Sequence, residues 1–112
     1  MKFLGIYRPG VAEGTPPTQE VMENMGKLID EMTKAGVLLA TEGCLPSSFG
    51  ARVRYKKGKF TVTDGPFSET KEIIGGFALF KADSKADAIE WTKKFLTVAG
   101  DGESEVRQIA EF

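Results

Sequence analysis

Hydrophobic residues recur with helical spacing in two segments of the chain. In the first, apolar positions three or four residues apart define one helix face: Val21, Met25, Leu28 and Met32, widened by Met22 and Ile29. Thr18 is the predicted N-cap and Gly36 the C-terminal stop. The second helix follows Ser84, with Asp87 in the position of a capping-box acid. Its buried face is predicted to be Ala88, Trp91, Thr92 and Phe95, with Ile89 and Leu96 beside them.

Apolar or alternating segments around these helices predict six strands. They are residues Lys2–Tyr7, Val37 towards Cys44, Ala51–Tyr55, Lys59–Thr63, Ile73–Phe80 and Glu103–Ala110. Lys57 and Gly58 are predicted to turn the central hairpin, with Gly58 at positive φ. Gly75 and Gly76 are predicted to mark a bulge or a close backbone approach. They do not form a phosphate loop, because no helix follows them.

The element order predicts one α+β domain spanning residues 1–112. We expect a ferredoxin-like sandwich of the form βαβ, hairpin, βαβ, with two helices on one face of an antiparallel sheet. The uncovered face would carry Phe3 or Leu4 and Phe77 or Ala78, which are apolar in either register. An exposed apolar sheet face predicts a homodimer in which two such faces pack together.

The composition excludes several classes of partner. The chain has 112 residues, 41% of them hydrophobic, and a formal net charge of −1, so we expect neither nucleic acid nor an anionic membrane as partner. No apolar run approaches the roughly 20 residues that span a bilayer. The N-terminus resembles a strand more than a signal peptide, which predicts a cytoplasmic protein. Cys44 is the single cysteine, so no internal disulfide is possible, and we expect it to be a buried small hydrophobe.

The chain has no histidine, which removes the commonest general base and the commonest metal ligand. With one cysteine and no acidic spacing like that of an EF-hand loop, we expect no metal site and no cofactor. Any chemistry would depend on carboxylates, Lys, Arg, Tyr or Cys.

The run from Asp64 to Glu72 is the most specific local pattern. Gly65 tolerates unusual backbone angles and Pro66 fixes φ, so the chain reverses here and Asp64 lies at a strand end. Two interpretations of Asp64 remain open: a functional carboxylate, or a turn residue hydrogen-bonded to its own loop. Pro66 and the aromatic Phe67 are candidate ligand contacts beside it.

Other candidate contacts lie near this run in sequence. Arg52 and Arg54 share one side of a strand and could hold a carboxylate or phosphate, or could form a solvated edge. Glu69 and Lys71 share a side at strand spacing, which allows an ion pair or part of a site.

Ser47 could donate a hydrogen bond to a ligand, although serines after proline are ordinary loop residues. Tyr7, at the end of the first strand, could line a cleft or simply pack. Trp91 is predicted to be a core anchor and not a platform for a ligand.

Several of these segments together resemble the DGPF branch of the YCII-related family, over nearly the whole chain. They are the N-terminal strand, Lys34–Leu38, Leu45–Ser47, Asp64–Glu72, Gly75–Phe77 and Ala88–Trp91. The resemblance implies a dimeric α+β barrel, in which two ferredoxin-like sandwiches pack sheet to sheet. Some YCII-related proteins look like enzymes with an aspartate and a histidine, the latter on the first helix. The first helix here has no histidine, so that dyad is not carried over.

Three functions compete. The preferred hypothesis is a homodimeric small-molecule-binding or accessory module with a cleft near the Asp64 loop and a small anionic ligand. The alternative is a cofactor-independent lyase, isomerase or dehalogenase-like enzyme, with Asp64 as acid/base and Arg52 or Arg54 orienting the substrate. The third is a structural or regulatory interaction domain with an empty cleft.

Overall fold

The computed structural model describes residues 1–69 and 73–111, and it confirms an α+β ferredoxin-like fold. Its elements are β1 (Lys2–Pro9), α1 (Gln19–Lys34), β2 (Leu38–Gly43), a short 3₁₀ turn (Ser47–Phe49), β3 (Ala51–Lys56), β4 (Lys59–Asp64), β5 (Gly76–Lys81), α2 (Lys85–Ala99) and β6 (Gly102–Gln108). Four strands form an antiparallel sheet in the order β2-β5-β1-β6, while β3 and β4 form a separate hairpin. The strand predicted to start at Ile73 begins only at Gly76.

Both helices begin at the predicted caps. The Thr18 hydroxyl accepts from the Val21 amide at 3.2 Å, and the Ser84 hydroxyl accepts from the Asp87 amide at 3.1 Å. Each bond satisfies one of the amides that the first helical turn leaves unpaired. Gly36, at a φ of 74°, lets the chain leave α1 and turn into β2. Neither helix in the described part of the chain is long and apolar enough to cross a bilayer.

The core lies between the sheet and the two helices. Phe3 and Phe80 of the sheet are almost fully buried, and their ring centroids are 6.0 Å apart. Leu28 and Met32 from α1 and Ala88 from α2 cover them, so both helices lie on one sheet face. The predicted stripes were wrong at their margins: Met22 is 55% exposed and Ile89 is 39% exposed, because both point away from the sheet.

The pairing between β1 and β5 shows which residues lie on the sheet face that the helices leave uncovered. Leu4 pairs with Leu79 and Ile6 with Phe77, and cross-strand partners point to the same face. Phe3 points into the core on the helix side of the sheet. Leu4, Ile6, Phe77 and Leu79 therefore lie on the other side of the sheet, which no helix covers. We call Leu4, Ile6, Phe77 and Leu79 the open face.

The β6 edge of the sheet is charged. Glu105 accepts hydrogen bonds from Arg107 at 2.8 Å and from Arg8 at 3.2 Å. The bond from Arg107 is the main cause that lowers the pKa of the Glu105 carboxyl, and Arg8 adds to it. This edge therefore borders the open face with an exposed ion-pair network.

The β3–β4 hairpin stands apart from the main sheet. Lys57 and Gly58 both have positive φ, 50° and 78°, as a two-residue hairpin turn requires. Val53 pairs with Val62 and Tyr55 with Phe60 on one hairpin face, and all four side chains are more than 60% exposed. The radius of gyration is 15.6 Å, against about 13 Å for a compact chain of about 100 residues. The hairpin therefore projects into solvent with an apolar face uncovered.

Candidate functional site

A cavity of about 310 Å³ lies between the helices and the sheet. Leu28 of α1 and Trp91 and Phe95 of α2 form its helical wall, and Phe80 closes the end towards the core. We call this cavity the groove. Its floor is the surface of the sheet that faces the helices. Side chains larger than glycine on this surface would fill the cavity.

Glycines at adjacent strand positions keep this floor open. Gly5, Gly43 and Gly76 line the groove on β1, β2 and β5. A Cβ at Gly76 would lie 2.7 Å from the Glu42 carbonyl oxygen, so only glycine fits at this close strand contact. A Cβ at Gly75 would lie 3.0 Å from Pro9 and 3.1 Å from the Tyr7 ring. The predicted close backbone approach is confirmed at Gly76, whereas the close neighbours of Gly75 are side-chain atoms.

Four hydroxyl groups line the groove; Glu42 lines it too, but its pairing with Phe77 puts the Glu42 side chain on the open face of the sheet. Thr41 and Thr92 donate to backbone carbonyls, at 2.9 Å and 2.8 Å, so their oxygens are left to accept. Ser104 lies near the floor, and its hydroxyl makes no hydrogen bond to the part of the chain that the structure describes. Ser104 is therefore the hydroxyl most available to donate to a bound molecule.

Tyr7 is the fourth hydroxyl and stands at one end of the groove. Its ring meets the Phe95 ring edge-on at 5.1 Å, and its hydroxyl donates to the Asp101 carbonyl oxygen at 3.3 Å. Burial, followed by the nearby Asp101 carboxylate, raises the pKa of the Tyr7 phenol above its usual value. Tyr7 therefore stays protonated through the neutral and mildly alkaline range.

A second cavity of about 570 Å³ adjoins the groove. Tyr7, Gly43 and Gly75 line both cavities, and we call the place where the two cavities adjoin at these residues the passage. We call the second cavity the outer chamber. The rest of its wall is mostly apolar and comes from the loop after β1, the start of α1 and the segments that flank β2 and β5.

Cys44 lies on the wall of the outer chamber and is exposed, so the prediction of a buried cysteine was wrong. The sheet pairing of β2 ends at Gly43, which leaves Cys44 just beyond the sheet.

The Asp-Gly-Pro-Phe run fastens the base of the hairpin to the neighbouring loop. The Gly65 amide donates to the Gly50 carbonyl at 3.0 Å, and the Phe67 amide donates to the Ser47 hydroxyl at 2.9 Å. The Ser47 amide and hydroxyl both donate to the Glu13 carboxylate at 2.7 Å. Three loops are thus joined, one of them from the wall of the outer chamber. We call the Glu13–Ser47–Phe67 chain the loop clasp.

Gly65 and Phe67 have specific packing roles in this arrangement. A Cβ at Gly65 would overlap the Ser47 carbonyl oxygen, so the backbones touch only because residue 65 is glycine. The bond from Gly65 to Pro66 is cis. The Arg52 guanidinium lies 4.3 Å from the centroid of the Phe67 ring, within the range of a cation–π contact.

Asp64 is exposed at the end of β4 and points away from the arginines. It pairs with Ala51, whereas Arg52 pairs with Thr63, so its carboxylate lies on the opposite hairpin face from Arg52 and Arg54. Within residues 1–69 and 73–111 its carboxylate makes no hydrogen bond. The structure therefore does not bring these three side chains into one polar cluster.

The remaining predicted contacts divide between the groove and the loop clasp. Tyr7 lines both cavities, while Ser47 already donates its hydroxyl to Glu13. Neither cavity is lined by Asp64, Arg52, Arg54, Pro66, Phe67 or Glu69. Lys71 lies outside the described residues. Ligand binding by Asp64 and the arginines stays a prediction.

Sequence reasoning missed Ser104, Thr92 and Trp91 as residues of the groove. Trp91 is half-buried and lines the groove, where the helical stripe had indicated only core packing. Val106 packs against the core, and strand alternation places Ser104, two residues earlier, on the same face. A serine at such a position was the available signal.

Comparison with known proteins identifies the family. The model of the YCII-related domain matches residues 1–112. The chain belongs to the YCII-related family. An uncharacterised protein of Rhizobium meliloti (strain 1021) is 30% identical over 93 residues, which cover 82% of this chain and 75% of the relative.

A solved structure supports the same fold for this YCII-related chain. It is the 5-chloro-2-hydroxyhydroquinone dehydrochlorinase TftG of Burkholderia phenoliruptrix AC1100, in complex with 2,5-dihydroxybenzoquinone. The TM-score is 0.52 at 13% sequence identity, over 100% of this chain and 96% of the other. At that identity the likeness concerns the fold alone.

Proposed function

We propose that this YCII-related protein binds a small, flat, neutral molecule in the groove. The observation that carries the proposal is the cavity of about 310 Å³, walled by aromatic and aliphatic side chains over a glycine floor. Its volume falls at the lower end of the range for small-molecule sites. The lining residues include no lysine or arginine, so the groove favours a neutral ligand over the anionic ligand predicted from the arginines.

The hydroxyl groups indicate the chemistry of that ligand. Thr41 and Thr92 offer acceptors and Ser104 offers a donor, which suits a molecule that both donates and accepts hydrogen bonds. A phenol or a hydroxylated quinone has this character on a flat ring. Trp91 and Phe95 would stack against such a ring or meet its edge. The oxygenated ring bound by TftG supports the same class of ligand.

A cofactor-independent lyase or dehalogenase-like enzyme is the second candidate. The dehydrochlorinase activity in the name of TftG favours it. In such an enzyme Tyr7 would contact the substrate as a hydrogen-bonding phenol, since its raised pKa keeps it protonated. Asp64 remains the acid/base predicted from the sequence, although it would need to approach the substrate from the hairpin.

We further propose that the protein is a homodimer. Two apolar surfaces are uncovered: the open face, and the hairpin face formed by Val53, Tyr55, Phe60 and Val62. An isolated two-stranded hairpin is marginally stable in water, so a second copy that covers this face would stabilise it. Sedimentation equilibrium at micromolar concentration should give twice the chain mass, and a single-chain mass would contradict the proposal.

The groove proposal is tested by titration with 4-ethylphenol, a neutral single-ring phenol. Trp91 is the only tryptophan, so its indole N–H gives one side-chain signal in a ¹H–¹⁵N spectrum. We expect a saturable shift of that signal. The Ser104→Ala variant should bind about 2- to 10-fold more weakly, because it loses one neutral hydrogen bond.

Ser48→Ala is the matched control, since Ser48 is exposed and lines neither cavity. It should leave the titration unchanged. An indole signal that 4-ethylphenol does not move would refute the groove as the binding site.

A further inference from the structure

The groove and the outer chamber adjoin at the passage, where two of the three shared lining residues are glycines. Gly43 and Gly75 contribute only backbone there, and the Tyr7 ring forms the third side. Gly43 is open: a Cβ built on it would meet a single atom within 4 Å, the Gly75 carbonyl oxygen at 3.9 Å. The space next to the Gly43 Cα is therefore free, and a side chain at this position would extend into it.

The outer chamber has the character of an apolar ligand site. Val11, Leu45 and Ile74 lie on its wall with 56%, 70% and 43% of their surface exposed. Exposed aliphatic side chains grouped around one concavity are typical of a surface that another apolar group covers. Glu13 is the charged residue on this wall, and its carboxylate oxygens already accept from Ser47.

We infer that the ligand is an elongated neutral molecule whose ring lies in the groove and whose apolar tail passes between Gly43 and Tyr7 into the outer chamber. This inference rests on the proposed function of the groove. It assigns the outer chamber as a second subsite and a ring with an apolar tail as the class of ligand. It also identifies Gly43 as the residue whose lack of a side chain admits the tail. An unbranched alkyl substituent is the simplest tail, because the wall of the outer chamber is mostly apolar.

The test compares 4-ethylphenol with 4-hexylphenol, which share a head group and differ by four methylenes. Burial of each methylene favours binding roughly fourfold, so complete burial of four gives a ceiling of about 200-fold. We expect 4-hexylphenol to bind wild-type protein at least about 10-fold more tightly, by the Trp91 indole titration. In Gly43→Val the ratio of the two affinities, 4-hexylphenol over 4-ethylphenol, should fall below about threefold; because Gly43 also lines the groove, this ratio and not the affinity for either phenol alone is the readout.

Two further variants keep the result interpretable. Val21→Trp fills the outer chamber from α1 without touching the passage and should also remove the advantage of the longer tail. Gly26→Ala adds a methyl group at an exposed helical position with nothing within 4 Å and should behave as wild type.

The outcomes separate the two proposals. If 4-ethylphenol binds and 4-hexylphenol binds no more tightly, the tail subsite is refuted and the groove stands. If Gly43→Val and Val21→Trp both fold and keep the full preference, the path through Gly43 is wrong. If neither phenol shifts the Trp91 signal, the groove proposal fails and the tail subsite fails with it.

Discussion

Substitution of Gly65 by alanine tests whether the Asp-Gly-Pro-Phe run serves to fasten the hairpin. The added methyl group would overlap the Ser47 carbonyl oxygen and would lie 2.5 Å from the Ser47 carbonyl carbon and 3.2 Å from the Ser48 amide nitrogen. These are backbone atoms of a 3₁₀ turn, so they cannot rotate away as a flexible side chain could. The loop from Pro66 to Phe67 must move instead.

The expected cost follows from the contacts that move. Overpacking against fixed atoms costs about 1–3 kcal/mol. Displacement of Phe67 also loses its hydrogen bond to Ser47, about 0.5–1.5 kcal/mol, and its cation–π contact with Arg52, about 0.5–1 kcal/mol. These contributions overlap, so we expect a loss of about 2–4 kcal/mol in the free energy of unfolding. For a domain of this size that corresponds to a decrease of roughly 8–16 °C in Tm.

Thermal unfolding followed by circular dichroism, at a fixed protein concentration, measures this loss. Gly26→Ala is the matched control: its methyl group meets nothing within 4 Å on an exposed helix, so it should stabilise the protein by about 0.5–1 kcal/mol. A Gly65→Ala protein that melts within about 2 °C of wild type would show that the contact between residues 65 and 47 does not hold the loop.

Three further predictions concern single side chains. Trp91→Ala should lower the free energy of unfolding, measured with urea, by about 2–3 kcal/mol. This is below the roughly 3–5 kcal/mol of a fully buried aromatic, because Trp91 is only half-buried. An unchanged urea midpoint would show that Trp91 does not contribute to the packing of α2. Asp64→Asn should change stability by less than about 0.5 kcal/mol, since the carboxylate is exposed and unbonded within the described residues, and a larger loss would reveal a structural role. The Tyr7 phenol has a higher pKa in the folded state than in the unfolded state, where it is near 10. Its contribution to the free energy of unfolding is therefore complete below the unfolded-state pKa and is lost as the pH rises through the folded-state pKa. Tyr7→Phe should therefore flatten the alkaline limb of the stability profile, and an identical limb in both proteins would refute the assignment.

The fold could be predicted from the sequence because the helix caps and turn residues agree with the spacing of the hydrophobic residues. Thr18 and Ser84 cap the helices as predicted, and the Lys57–Gly58 turn has the positive φ values that a tight hairpin needs. The pairing of Leu4 with Leu79 could not be predicted, since both registers leave apolar residues on each sheet face. Tertiary contacts alone decide that choice.

The candidate site could be predicted only in part. Tyr7 was identified from its place at the end of a strand, but the groove beside it is formed by residues far apart in sequence, such as Gly43 and Trp91. The predicted two-residue turn at Lys57 and Gly58 already implies the pairing that puts Asp64 on the opposite hairpin face from Arg52, because side chains alternate along each strand. Proximity in sequence suggested a cluster of Asp64 with Arg52 that this pairing does not form.

The central claim is that the space between the helices and the sheet is a ligand site. A crystal structure of the protein soaked with 4-ethylphenol tests it most directly. We expect density for the ring between Trp91 and the glycine floor, with the phenol oxygen within hydrogen-bond distance of Ser104 or Thr92. Density for the phenol only at the hairpin, beside Arg52 or Asp64, with the groove empty, would contradict the account.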